Sequence, residues 1–240
     1  MRRATMILAL AATLGAAQRS SAQDVEVATR AAEQAVQEIL AGNRETQGPA
    51  VCDVLRSGVV TEVFAVAPAD VTYRPGAKFI PHPLCTASWD FPDKAEREAA
   101  CREETVAYTQ RKSQALVARQ AFDEPLPECI RSSTGTEVTL TITNQKFDSP
   151  QAAVESLESS VAQLEAGITV TVQGKDHTTQ VDFDDWLDGV GDLAAWAPKL
   201  NELVVAYAGV RFAVSVRGVG DDAESQAQAI AVARQVIETL

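Results

Sequence analysis

The sequence predicts an α+β fold in which helices pack on an antiparallel sheet. Segments that alternate apolar and polar residues, as half-buried strands do, are interleaved with segments whose apolar residues recur every three or four positions, as in helices. Several strands follow one another through short turns, and such hairpins require antiparallel neighbours. With 240 residues, 46% of them apolar, the chain is long enough for one substantial core.

The N-terminal half is predicted to be mainly helical. Apolar residues recur at helical spacing over residues 24–40 and again over 51–64, and residues 47–49 between them predict a turn. A proline-rich irregular stretch then leads to a strand near 84–89. Residues 93–122 combine a helix-forming composition and a long charged face with a thin apolar stripe, which predicts a helix lying on the surface.

The C-terminal half alternates strands and helices more clearly. Residues 138–143 alternate apolar residues with threonines, the pattern of a half-buried strand rich in β-branched residues. Ser149 and Pro150 then give the capping and opening signals of a helix. Period-two alternation resumes at 168–172 and in a following strand over 177–183, and these two strands precede a loop.

A hairpin and a helix complete the chain. The hairpin joins residues 203–207 to 210–216 around Ala208-Gly209, and helical spacing returns over 224–240. The predicted division of the chain is a signal peptide at 1–22, an N-terminal amphipathic helix within 23–48, and a single α+β domain at 49–240 with a helical insertion at about 93–129.

The first 22 residues have the layout of a secretory signal peptide. Arg2 and Arg3 precede the apolar stretch 6–17, and Ser20 and Ala22 meet the small-x-small rule for cleavage. We expect cleavage after Ala22, with a membrane-anchored N-terminus as the alternative. No cysteine near the cut could carry a lipid, and none of the three asparagines is an N-glycosylation acceptor. Together these features favour a soluble protein of a bacterial periplasm, or a secreted one.

The charge of the chain excludes two classes of partner. Three of the 21 basic residues and none of the 33 acidic residues lie in the predicted signal peptide, so the mature chain carries a formal charge of about −15. No basic cluster is larger than Arg111 with Lys112, and nucleic acid or anionic lipid would be repelled. No apolar run reaches the roughly 18 residues of a membrane span.

Four cysteines in an exported chain predict two disulfides. They are Cys52, Cys85, Cys101 and Cys129. Zinc is the weaker alternative, because structural zinc sites bring close ligand pairs and there is no C-x-x-C here. Three connectivities are possible. We favour Cys52–Cys85 with Cys101–Cys129, since each closes a loop of moderate length without crossing the other.

An acidic run provides the densest group of candidate metal ligands. It comprises Asp182, Asp184, Asp185, Asp188 and Asp192. A hard cation such as calcium could be bound by Asp182, Asp184 and Asp188, but the spacing misses the EF-hand pattern, with Trp186 or Leu187 at positions that pattern reserves. A solvated acidic loop is the favoured interpretation.

No cofactor or catalytic set is predicted. The string Gly189 to Ala194 matches G-x-G-x-x-A, but aspartates flank it and no helix follows, so it does not predict a dinucleotide site. His82 and His177 are the available imidazoles, and neither belongs to a recognised catalytic motif. An apolar ligand pocket could be lined by aromatic side chains that could equally belong to the core, namely Trp89, Trp186, Trp196 and Tyr207.

Several motifs together resemble a known group of secreted domains. They are Cys-x-x-Leu at Cys52 and Leu55, Cys-x-x-x-Trp at Cys85 and Trp89, and a Gly-x-Gly-Asp-x-Ala turn at Gly189, Gly191, Asp192 and Ala194. With the strand and helix order of the C-terminal half, they resemble the uncharacterised PsbP-like domains of actinobacterial lipoproteins, over about half the chain. The resemblance implies an antiparallel sheet between helices and a Cys52–Cys85 bridge, and it implies no catalytic residues. This chain departs from the group in lacking a lipidated cysteine and in its insertion at 93–129.

Three functions follow as hypotheses. The first is a non-enzymatic periplasmic binding or accessory domain for an unknown small molecule or an envelope protein, because no catalytic set converges. The second is a cation-dependent hydrolase that uses the acidic run with His177 as base. The third is a structural protein that docks a partner chain through the thinly apolar helices 24–40 and 93–122.

Overall fold

Eight strands and six α-helical segments form within the residues that the computed structural model describes, which are 30–35, 37–39, 44–76, 82–127, 129, 134–143, 145–172 and 175–240. In chain order they are α1 (residues 30–35 and 37–39), α2 (Arg44–Val54), α3 (Val60–Phe64), β1 (Thr72–Pro75), β2 (Leu84–Asp90), α4 (Lys94–Val117), β3 (Gly135–Ile142), α5 (Pro150–Ala166), β4 (Ile168–Val172), β5 (Lys175–Thr179), β6 (Leu193–Ala197), β7 (Glu202–Tyr207), β8 (Val210–Arg217) and α6 (Asp222–Thr239).

Six of the strands form one antiparallel sheet in the order β1-β2-β3-β8-β7-β6. The α+β class is therefore confirmed. The β7–β8 hairpin turns at Ala208 and Gly209, whose φ angles of 50° and 80° suit the tight turns that match strand twist. Strands β4 and β5 pair only with each other, in a separate hairpin.

Helices cover the two faces of the sheet unequally. One face carries the alternating buried residues of β2, β3, β7 and β8 and packs against α2, α3 and α6 in the main core. On the other face, α5 packs over β6 and β7, where Leu157 and Val161 meet Ala195 and Ala206. The alternation of strand residues between faces explains both layers.

Both predicted disulfides form. Cys52–Cys85 joins α2 to β2 with 5.0 Å between the Cα atoms, and both residues are at most 1% exposed. Cys101–Cys129 joins α4 to the segment that follows it, with 5.3 Å between the Cα atoms. The four cysteines are thus all paired, as chains of oxidising compartments outside the cytoplasm typically are.

The predicted turn at residues 47–49 is wrong. Helix α2 already begins at Arg44 and includes Pro49, which removes one helical hydrogen bond. The helix persists because residues after the proline, including Val51 and Val54, are buried against the sheet. The helical conformation is interrupted later, at Gly58, whose φ of 114° separates α2 from α3.

Two strands of the sheet do not appear in the sequence prediction. The edge strand β1 ends on Pro75, a residue tolerated at sheet edges. Strand β6, with the sequence Leu-Ala-Ala-Trp-Ala, contains no β-branched residue. Two predicted elements are also too long: the strand predicted to reach 183 ends at Thr179, and the helix predicted to reach 122 ends at Val117.

Some predictions fall outside the described residues. They include the signal peptide at 1–22 and the first residues of the helix predicted over 24–40. In the described part of the chain, no helix is both long and apolar enough to cross a membrane.

Candidate functional site

Helix α4 and the residues that return along it form an arm whose described side chains are mostly exposed. The arm comprises α4 together with residues 118–127 and Cys129, and the body comprises the six-stranded sheet with α2, α3, α5 and α6. At about 1.5 Å per residue, the 24 residues of α4 extend about 36 Å. Tyr108 is the single buried residue of this helix.

Internal contacts keep the return segment on α4. Tyr108 meets the Phe122 ring edge to face, with 5.3 Å between the centroids. Arg111 donates from Nε to Glu124 Oε2 at 2.9 Å and from Nη2 to Glu124 Oε1 at 2.5 Å. This hydrogen bonding lowers the pKa of the Glu124 carboxyl. Together with the Cys101–Cys129 bridge, these contacts give the arm a defined shape of its own.

The base of the arm is fixed by ion pairs with its first turn. Lys94 Nζ lies 3.0 Å from both carboxylate oxygens of Asp90, and this pairing raises the pKa of Lys94. Arg97 Nε donates to Asp93 Oδ2 at 2.8 Å, and its guanidinium lies 4.8 Å from the centroid of the Phe91 ring. These contacts connect α4 to the end of β2.

The outer end of α4 closes with a Schellman motif. The backbone N–H of Gln120 donates to Ala115 O at 2.9 Å, and that of Arg119 donates to Leu116 O at 3.1 Å. Arg119 itself has φ 55°, a left-handed conformation that glycine usually provides at this position. The chain therefore reverses sharply there and returns along α4.

The arm carries several exposed large hydrophobic side chains among its charged and polar ones. Seven large hydrophobic side chains of the described residues are exposed, and four of them lie in the arm. Val106 is 51% exposed, Leu116 65%, Val117 86% and Leu126 46%. Isolated exposed apolar residues are ordinary, whereas these four lie together on one element of the fold.

A groove of about 560 Å³ runs beside the Cys101–Cys129 bridge. Its lining combines small and apolar side chains of α4, including Ala100, Thr105 and Val106, with four charged residues of the same helix.

The four aromatic residues of the predicted ligand pocket lie in different surroundings. Trp196 is 1% exposed in the main core, and Tyr207 packs partly buried against that core. Trp186 is 44% exposed in the loop before β6. Trp89 meets Phe64 edge to face at 4.8 Å and lines a shallow groove of about 620 Å³. Of the grooves described here, only this one includes a member of the predicted set.

The acidic run mainly protects the edge of the sheet. The backbone N–H groups of Asp184 and Leu187 donate to the carbonyl oxygens of Trp196 and Ala194, which covers the free edge of β6. The run is also tied to its surroundings by side chains: Asp192 Oδ2 accepts from the Ala208 N–H at 2.8 Å, and Asp182 pairs with Lys199.

No metal centre or histidine site is built from the predicted residues. In the described ranges, no three acidic, histidine or cysteine side chains are gathered as a metal site requires, and Asp182, Asp184 and Asp188 do not converge. His177 is exposed in the separate hairpin strand β5, and His82 is exposed just before β2. This geometry gives the cation-dependent hydrolase no support.

Two half-buried charges on the second face of the sheet are structural. Arg211 Nη1 donates to Ser156 O at 3.2 Å, to Ser156 Oγ at 2.9 Å and to Ser160 Oγ at 3.0 Å, which ties β8 to α5. Burial lowers the pKa of Arg211. Burial also raises the pKa of Glu202, although the nearby Arg217 acts in the opposite direction.

The sequence predicted the helix of the arm but not its position. The thin apolar stripe predicted a surface helix and suggested partner docking, whereas the exposure of Leu116 and Val117 at its far end follows from the length of α4 and its internal bracing.

Comparisons with protein-family models, with curated proteins and with solved structures find no match to this chain. The resemblance to PsbP-like secreted domains therefore stays a prediction.

Proposed function

We propose that this chain is an exported, non-enzymatic accessory protein of the bacterial periplasm that binds a protein partner through its arm. The observation that carries the proposal is the arm itself. It is a 24-residue helix with one buried side chain, stabilised by its own disulfide, aromatic pair and ion pair. An ordered element whose apolar side chains are exposed is expected to bury them against a partner.

The periplasmic location is supported by the paired cysteines and by the predicted signal peptide. All four cysteines form disulfides, which persist in oxidising compartments. A formal charge of −12 for the whole chain argues against nucleic acid as the partner.

Substituting the outer end of the arm tests the function. The double variant Leu116→Asp with Val117→Asp should lose at least about 90% of the protein partner that co-isolates with the wild type from its own envelope, because charge would enter the buried centre of the interface. Leu200→Asp is the matched control, since Leu200 is 41% exposed outside the arm. Equal recovery with all three proteins would refute the proposal.

A further inference from the structure

We infer that the arm pairs with the arm of a second copy of this chain, antiparallel and about a twofold axis. This inference rests on the proposed function and names the partner of the same surface. Three features of α4 carry it. A row of exposed residues, the seam, runs along the helix. Large and small side chains are distributed in the seam so that they match across a pair, and the two halves of the helix differ in charge.

The seam follows the spacing of a helix pair. Its positions alternate steps of three and four residues, as the contact positions of two packed helices do. They are Ala99, Arg102, Val106, Thr109, Ser113 and Leu116, and all six are exposed. The return segment contacts a different side of the helix, at Cys101 through the disulfide and at Tyr108 through Phe122. A second helix could therefore pack along the seam without displacing the return segment.

Antiparallel pairing matches each large seam residue with a small one. The six positions are symmetric about the midpoint between Val106 and Thr109, so a twofold axis there sets Val106 against Thr109 of the other copy. The same register sets Leu116 against Ala99 and Arg102 against Ser113. A large side chain opposite a small one lets helices approach within the usual 8–10 Å, and a twofold axis repeats each of these contacts twice.

The distribution of charge along α4 also favours antiparallel pairing of two arms. Residues 94–104 contain four glutamates and three cations, and two of those cations, Lys94 and Arg97, pair with aspartates at the base of the arm. Residues 105–120 contain three cations and no acidic residue. Arg111 pairs with Glu124 of the return segment, so Lys112 and Arg119 are the cations that remain for a second arm. Antiparallel arms bring the acidic half of each onto the basic half of the other, whereas parallel arms would oppose like charges. Opposed helix dipoles add to this preference.

Sedimentation equilibrium of the purified exported protein, with both disulfides intact, tests the pairing over about 1 to 300 µM, where small interfaces associate. We expect reversible dimers that Leu116→Asp weakens at least about tenfold and that Leu200→Asp leaves unchanged. A monomer at every concentration would overturn the inference, and so would a dimer that Leu116→Asp leaves intact.

Two charge-reversed proteins test the antiparallel register. The first carries Lys112→Glu with Arg119→Glu, and the second carries Glu98→Lys with Glu103→Lys. Each should dimerise at least about tenfold more weakly than the wild type, because its own arms would repel. An equimolar mixture should form heterodimers at least as tightly as the wild type forms homodimers. Failure of the mixture to associate would overturn the antiparallel arrangement.

These outcomes separate the inference from the proposed function. If the purified protein is monomeric while the arm substitutions still abolish association with a different envelope protein, the self-pairing is refuted and the proposed function stands. If the arm substitutions change neither dimerisation nor envelope association, both are refuted.

Discussion

Tyr108 and Phe122 form the aromatic contact that joins α4 to its return segment, with their ring planes inclined by 70°. Tyr108 is the buried residue of α4, and Phe122 of the return segment contacts it. The arm is therefore a small folded unit with its own contacts, and its order should be separable from that of the body. The predictions that follow use this separation.

Loss of the aromatic contact should loosen the arm alone. An edge-to-face pair contributes about 0.5 to 1.5 kcal/mol, so Phe122→Ala should raise the rate of tryptic cleavage within the arm up to about tenfold. The melting temperature of the body should fall by less than about 2 °C. Leu126→Ala is the control, because Leu126 lies on the same segment but is 46% exposed. Equal cleavage rates for wild type and Phe122→Ala would contradict the prediction.

The two disulfides should differ in their effect on stability despite similar loop lengths. The sequence separations are 33 and 28 residues, and chain entropy alone assigns each about 3 to 4 kcal/mol. Replacing Cys52 and Cys85 with alanine should cost the body about that amount in denaturant unfolding. Replacing Cys101 and Cys129 with serine should leave the body's midpoint nearly unchanged and increase hydrogen exchange in α4. Equal losses of body stability would show that the arm unfolds together with the body.

The raised pKa of Glu202 should make stability depend on pH. A carboxyl whose folded pKa lies above its unfolded value contributes stability that is fully present below the unfolded pKa, near 4.3, and is lost as the pH rises through the folded pKa. Glu202→Gln should therefore raise the melting temperature at pH 7 and have little effect at pH 4. Glu158→Gln, at an exposed position of α5, should have little effect at either pH. A uniform shift at both pH values would contradict this origin.

Arg211 should be required for the packing of α5. Its three hydrogen bonds to Ser156 and Ser160 would be lost in Arg211→Ala, with a cost of about 1 to 3 kcal/mol in unfolding free energy. Arg234→Ala, at an exposed position of α6, should change stability by less than about 0.5 kcal/mol. If both variants unfold at the same denaturant concentration, Arg211 does not hold α5 on the sheet.

Local signals predicted most of the fold. Ser149 does cap α5, accepting from the Ala152 N–H at 3.1 Å, and the alternation in residues 138–143 and 203–216 does mark central strands. The errors arose where tertiary packing decides the structure. Burial of α2 overrides the break expected at Pro49, and pairing with β7 makes a strand of Leu193–Ala197 although the sequence lacks β-branched residues.

The candidate site was less accessible to sequence reasoning. The composition predicted a helix with a thin apolar stripe over 93–122, but the same stripe would suit a helix packed on the body. Only the observed burial, with Tyr108 covered and Leu116 and Val117 exposed, distinguishes the two arrangements. For the acidic run, the carboxylates suggested a cation site, whereas the structure uses the backbone of this segment to hydrogen bond to β6. Those backbone bonds could not be deduced from the side chains.

Site-specific photo-crosslinking in the native compartment tests the central claim most directly. A photoreactive residue would replace Leu116 at the outer end of the arm, and a second protein would carry it at Glu158 as an exposed control. The account predicts a discrete protein adduct from position 116 and none from 158, with an adduct of twice the chain's mass if the arm pairs with itself. No adduct from position 116, or equal adducts from both positions, would contradict the arm's role as the binding element.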